Sequence, residues 1–326
     1  MAVCTLAVQA QPPPISILVV DTANRVNYQF DSFDVPKFGT SASIAAPQGI
    51  RTNHPFLEET IVADVASVNG KPAKGNMVIK STASLNLSPI PAAGRAIGDI
   101  TRMSFGHSAW EILSVDGQQV GTIITIWLSG GTPPPGAPSA CTGGNQAIVG
   151  GTGAYLGVSG FVCQAPPPVS VTVRAASVQE DPQNRRINGG GTNRYIMQLI
   201  PRYVPEVVVQ AGQPAILHAD FSPVTATSPA RSGESLILMV AGLGPTIPTL
   251  EPGDSFTQDP LNQVASPVEV IVNDQSVPTI NSIGWPGTAD RFRVDFRMPD
   301  GVAAGSATLQ LSSAWIKGPT VKIPTR

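Results

Sequence analysis

Residues able to do acid–base work are few and scattered in this chain. There are three histidines, His54, His107 and His218, too far apart for metal-ligand spacing, so neither a metal nor a cofactor is expected. His107 alone has a suggestive setting, Asp99-Ile-Thr-Arg102-Met-Ser-Phe-Gly-His107-Ser-Ala-Trp110-Glu111. Alternate side chains of a strand share a face, so His107 and Glu111 lie together provided Gly106 does not shift the register. If that face lines a closed sheet, the pair could act as general acid and base on an enclosed substrate, with Asp99 and Arg102 as further polar groups. The plain alternative is a hydrogen-bonded core or rim pair that does no chemistry.

Other constellations are weaker. No Gly-x-Ser-x-Gly elbow is present, and the chain lacks the strand–turn–helix pattern such an elbow needs. Gly150-Gly151-Thr152-Gly153 has neither a following lysine nor a helix to present a phosphate-binding N-terminus. Trp110, Trp127, Trp285 and Trp315 could stack on sugars, but only if at least two stand exposed on one face.

The elements that position these residues follow from composition. Charged residues are 13% of 326, the net charge is −2, and no basic cluster exceeds the pair Arg185-Arg186. Nucleic acid and anionic membrane surfaces are therefore not expected partners. Glycine and proline number 32 each, and Val, Ile and Thr fall in short runs, which favours an all-β chain with many turns. Residues 1–10 read as the remnant of a secretory signal, and no later run approaches the ~20 apolar residues of a membrane span. If Cys4 leaves with that signal, Cys141 and Cys163 remain. Such a pair in an exported chain reads as a disulfide; two buried thiols are the alternative.

Strand-like runs lie around Tyr28, Phe56, Asn76, Ile97, Val120, Ala147, Val169 and Tyr195, with hairpin turns at Asn69-Gly70 and Asp116-Gly117 and a bulge at Gly106. Gly150–Gly153 is read as the turn of a stapled hairpin. Eight antiparallel strands can close into a barrel that side chains just fill or that holds one small ligand. The barrel domain is placed at 11–202. Past Arg202–Pro205 the spacing changes to short strands between turns, which suggests a β-sandwich over 203–326.

Gly94-Arg95-Ala96-Ile97-Gly98, followed by Ile148-Val149-Gly150-Gly151-Thr152-Gly153, resembles the pattern of dirigent proteins and allene oxide cyclases. The resemblance covers about 25–200 and implies an eight-stranded antiparallel barrel. Where radical-coupling members of that family carry an acidic residue and an arginine, this chain has Ala154 and Ser159, so their catalytic roles do not carry over. A second resemblance, on Gly233-Glu234-Ser235-Leu236, Ala241-Gly242-Leu243-Gly244-Pro245, Pro267–Asn273 and Phe296–Val302, is to an immunoglobulin-like module that ends many secreted proteins of soil bacteria. It implies export.

The expected protein is thus all-β, an eight-stranded barrel plus a C-terminal Ig-like sandwich. It is secreted or at the cell surface and binds or assembles rather than catalyses. Strand Ile15–Val20 is the candidate edge for homo-oligomer or filament formation. The competing reading is a cofactor-independent cyclase or isomerase acting on a small apolar ligand in the barrel, using His107, Glu111, Asp99 and Arg102. A module binding polysaccharide is the third.

Overall fold

The computed structural model describes residues 15–29, 56–85, 102–129 and 133–326. Eight strands of the first sheet make its closed circuit: β1 (Ser16–Gln29), β2 (Phe56–Val68), β3 (Lys74–Leu85), β4 (Arg102–Leu113), β5 (Gln119–Ser129), β6 (Gly143–Gly153), β7 (Ser159–Ala165) and β8 (Gly191–Ile200). Each pairs antiparallel with the next, and β8 pairs with β1, which closes the barrel. The turn between β2 and the short strand Lys71–Pro72 is Asn69-Gly70, both at positive φ (52° and 75°), as a two-residue hairpin matched to strand twist requires. Asp116-Gly117 turns β4 into β5, with the Gly117 N–H donating to the Ser114 carbonyl at 3.0 Å.

The barrel has the eight strands expected, but not all of them where expected. The stapled hairpin supplies two barrel strands, β6 and β7. The run expected at Val169 supplies none: Arg174–Ser177 instead lies parallel to the end of β1, outside the barrel circuit. Gly106 is not a bulge either, because β4 runs unshifted through it against both neighbours. It is glycine for space: a Cβ there would stand 2.6 Å from the Trp127 ring.

Gly150–Gly153 is not the turn. These residues form the end of β6, and the reversal comes one step later, at Ala154–Gly157. The reason is close backbone approach. A Cβ on Gly151 would lie 2.6 Å from the carbonyl oxygens of Thr122 and Tyr155, whereas one on Gly150 would meet nothing within 4 Å. The staple itself is present, with Cys141 and Cys163 joined by a disulfide across Cα atoms 5.7 Å apart.

Seven longer strands follow: β9 (Ile216–His218), β10 (Ser235–Ala241), β11 (Val268–Val272), β12 (Thr279–Gly284), β13 (Phe292–Arg297), β14 (Gly305–Ser313) and β15 (Ile316–Thr325). One sheet orders β9-β10-β13-β12 and the other β11-β14-β15. Leu236, Leu238 and Phe296 of the first meet Val270, Leu309 and Ile323 of the second in one buried cluster, the arrangement of a β-sandwich.

The two units are not separated by solvent. The β14–β15 hairpin turns at Ala314-Trp315, both at positive φ, and its tip joins the barrel's apolar cluster beside Tyr155, Val158 and Leu199. The Tyr155 hydroxyl donates to the Ala314 carbonyl at 3.4 Å, and Lys71 pairs with Glu269 alongside. Burial holds the Tyr155 phenol well above its ordinary pKa. The sandwich thus supplies the floor of the barrel.

Candidate binding site at the polar end of the barrel

Along β4 the inward set is the even-numbered one. Ser108, Trp110 and Ile112 are buried, while Phe105 and His107 are exposed and Glu111 is half-buried. His107 and Glu111 do share a face, as period two requires, but it is the outer face. Trp110, with no exposed surface, carries the largest apolar area in the strand and takes the inside; its parity fixes the rest. Glu111 accepts a hydrogen bond from Asn76 Nδ2 at 3.2 Å. Arg102 opens β4. Asp99 and His54 lie outside the described residues. His107 and Glu111 therefore do not face an enclosed substrate.

Inside, the barrel has two unlike ends. Near the sandwich it is filled by Leu18, Met77, Trp110, Ile112, Ile123 and Met197. Toward the other end, where β1 finishes and β2 begins, polar residues join the inward set beside Ile61 and Trp127. Trp110 Nε1 donates to Ser108 Oγ at 2.8 Å, Ser108 Oγ meets Thr125 Oγ1 at 2.5 Å, and Thr125 donates to Gln146 Oε1 at 3.1 Å. Ser81 Oγ donates to Glu59 Oε1 at 3.1 Å, and Asn27 Nδ2 to Glu59 Oε2 at 3.4 Å. The Tyr195 ring packs edge-on against Trp110, centroids 4.7 Å apart.

This end holds four of the buried polar atoms that have no hydrogen-bond partner: Arg25 Nε, Asn27 Oδ1, Asn193 Nδ2 and the Tyr195 hydroxyl. Such atoms are rare in packed interiors, since each costs about 1–3 kcal/mol. Tyr195 has no exposed surface at all. The four come from the adjacent strands β1 and β8, which pair Thr22 with Asn193 and Arg25 with Gly191. A bulge between Thr22 and Arg25, with Asn24 at φ 53°, turns Ala23 and Asn24 outward to Asp64 and sets Arg25 and Asn27 inward, opposite the inward residues Ala63 and Ile61.

The outer wall behind this bulge is clamped. Asp64 accepts from Arg185 Nη2 at 2.5 Å, Arg186 Nε at 2.9 Å and Asn24 Nδ2 at 2.9 Å. Burial alone would raise its pKa, but these bonds outweigh it and hold the carboxyl at about 2. They fasten the short helix α1 (Asn184–Ile187) over β1 and β2, and Tyr28 is buried beneath, its hydroxyl reaching the Pro182 carbonyl at 3.4 Å. A similar pair, Asp21–Arg194, ties β1 to β8, with Arg194 Nε 2.6 Å from Oδ1. These ion pairs hold the two strands that carry the unpaired polar groups.

Trp110, Trp127 and Trp315 are buried, so no face of the molecule offers two exposed tryptophans; Trp285 stacks edge-on with Phe221 at 6.4 Å. Ala154 starts the β6–β7 turn and Ser159 opens β7. β1 is not a free edge: β8 pairs with it from Ser16 onward and β2 from Val20. Along Ile17–Val19 the second edge is met by the Asn69 amide, 2.8 Å from the Val19 N–H and 3.4 Å from the Ile17 carbonyl. In the sandwich, His218 Nδ1 lies 2.6 Å from Glu234 Oε1 and Nε2 lies 3.1 Å from the Ser228 carbonyl, which pins the loop after β9. Among the described residues no group of His, Cys, Asp and Glu could hold a metal, and no helix is long and apolar enough to cross a membrane.

No family model matches this chain, and no curated protein does. Among solved structures, a polysaccharide lyase is similar at a TM-score of 0.19 and 8% identity, over 95% of this chain. The chain spans 39% of that protein's length. A likeness this slight bears on neither fold nor function.

Proposed function

We propose that the protein is a secreted, non-catalytic binding protein that takes one small ligand into the polar end of its barrel. The observation that carries this reading is the set of unpaired buried polar atoms on Arg25, Asn27, Asn193 and Tyr195, all facing the interior from two clamped strands. Ligand sites are mostly apolar with a few well-placed polar groups, which is what a Trp110–Tyr195 wall beside these four residues supplies. The Cys141–Cys163 disulfide supports an oxidising, extracellular setting. The sandwich, read as an Ig-like module, would display the barrel at the surface or in the surrounding matrix.

Native mass spectrometry of the secreted protein tests the reading. A mature chain starting beyond residue 10, a closed disulfide and a one-to-one small-molecule adduct are expected. Material that keeps its first residues, stays inside the cell and carries no adduct would contradict it. So would a thermal midpoint that no member of a library of small polar compounds shifts.

A further inference from the structure

The charges at the polar end narrow the class of ligand, and this step rests on the binding role proposed above. Glu59 is already served by neutral donors, Ser81 on one oxygen and Asn27 on the other. Arg25 is in a different state. Its Nε is buried without a partner, and no ion pair joins it to a carboxylate among the described residues. The cations of the outer clamps are matched: Arg174 by Glu180, Arg185 and Arg186 by Asp64, Arg194 by Asp21. Arg25 is half-buried, yet its inward Nε meets neither an anion nor solvent, and a carboxylate fits the forked donors of such a guanidinium.

The neighbouring unpaired atoms extend the pattern. Asn193 Nδ2 is a second donor on the facing strand, suited to the same anion. Asn27 Oδ1 can only accept, and the Tyr195 hydroxyl can do either, so both suit a ligand hydroxyl. We infer that the barrel binds a small organic monocarboxylate that also carries a hydroxyl group, with Arg25 and Asn193 holding the carboxylate and Asn27 and Tyr195 the hydroxyl. Glu59, at the same end, disfavours a second negative charge on the ligand. The Trp110–Tyr195 pair provides the apolar contact for the body between the two groups.

The test uses the full chain and calorimetric titration with three probes: 4-hydroxybenzoate, its neutral methyl ester, and phthalate as a dianion. The inference expects 4-hydroxybenzoate to bind at least tenfold more tightly than the ester, with phthalate weaker still. Arg25→Gln should abolish the preference for the acid. Arg25→Lys, which keeps the charge and controls for loss of the fold, should weaken binding yet retain the preference. If the ester binds as well as the acid, or the acid binds Arg25→Gln unchanged, the carboxylate assignment fails while the binding role stands. If none of the three probes binds a folded protein, the carboxylate assignment fails, and the binding role falls with it when the compound library also gives no shift.

Discussion

Replacing Asp64 with asparagine separates the charge of the outer clamp from its shape. In the native fold Asp64 gathers Arg185, Arg186 and Asn24, and the Arg185 side chain is only 6% exposed. Asp64→Asn leaves Arg185 with the Pro182 carbonyl at 2.7 Å and Asn76 Oδ1 at 3.3 Å, but no anion. Breaking a buried pair from one side costs about 3 kcal/mol or more at neutral pH. Part of that cost depends on pH. Lowering the carboxyl pKa from 3.8 to about 2 corresponds to roughly 2.4 kcal/mol, and solvent access to Asp64 trims this to about 1–2 kcal/mol. A carboxylate with a depressed folded pKa stabilises the fold above its unfolded value and loses that stabilisation as pH falls through the folded one. Urea denaturation of both proteins from pH 6 to pH 2 reads the result. The gap between them should stand near 3 kcal/mol at the top and narrow by about 1–2 kcal/mol across roughly pH 4 to 2. A gap under about 0.5 kcal/mol at pH 6, or one of unchanging size, would refute the account of the clamp.

Four further outcomes are expected. Trp315→Ala should lower stability by about 3–5 kcal/mol in the same assay, because the ring is 8% exposed and lies in the barrel's core cluster rather than the sandwich's. Replacing both Cys141 and Cys163 by serine should cost about 3 kcal/mol, the loop-closure value for a sequence separation of 22, seen as a lower urea midpoint. Gly151→Ala should lower the melting temperature, at a cost of about 1–3 kcal/mol, since its Cβ would press on two carbonyl oxygens at 2.6 Å. Gly150→Ala, with open space at that position, should melt within a degree or two of the native protein.

How much of this was legible in the sequence depends on the residue. Asn69-Gly70 marks its hairpin because few other pairs accept two left-handed residues in succession, and Gly117 supplies the left-handed residue of the next turn. The sandwich strands were legible too, and Ser235–Ala241 has the bounds expected of it. The polar end of the barrel was not. A period-two pattern assigns Ser108, Thr125 and Gln146 to the solvent side, and only closure of the sheet shows them inside. Tyr28 is buried by the cover that carries Pro182, outside the wall, and that cover has no period-two signature. Arg25 and Asn27 owe their inward facing to the bulge at Ala23-Asn24, which pair pattern alone does not betray. For His107 both strand faces carried apolar residues, and the balance fell to Trp110.

The floor of the barrel has a consequence in time. Tyr155 and the Ala314 carbonyl that meets its hydroxyl are 159 residues apart. At about 5–20 residues per second, a ribosome makes the second of these roughly 8 to 30 seconds after the first. Through that interval the eight strands can pair, but the layer around Tyr155 and Val158 has nothing beneath it. A fragment ending at Arg202 would remain in that condition permanently, a ring with an oily base seeking another surface. The covalent border between the two units is therefore a poor place to cut the chain. The first unit is finished only by the last part of the second.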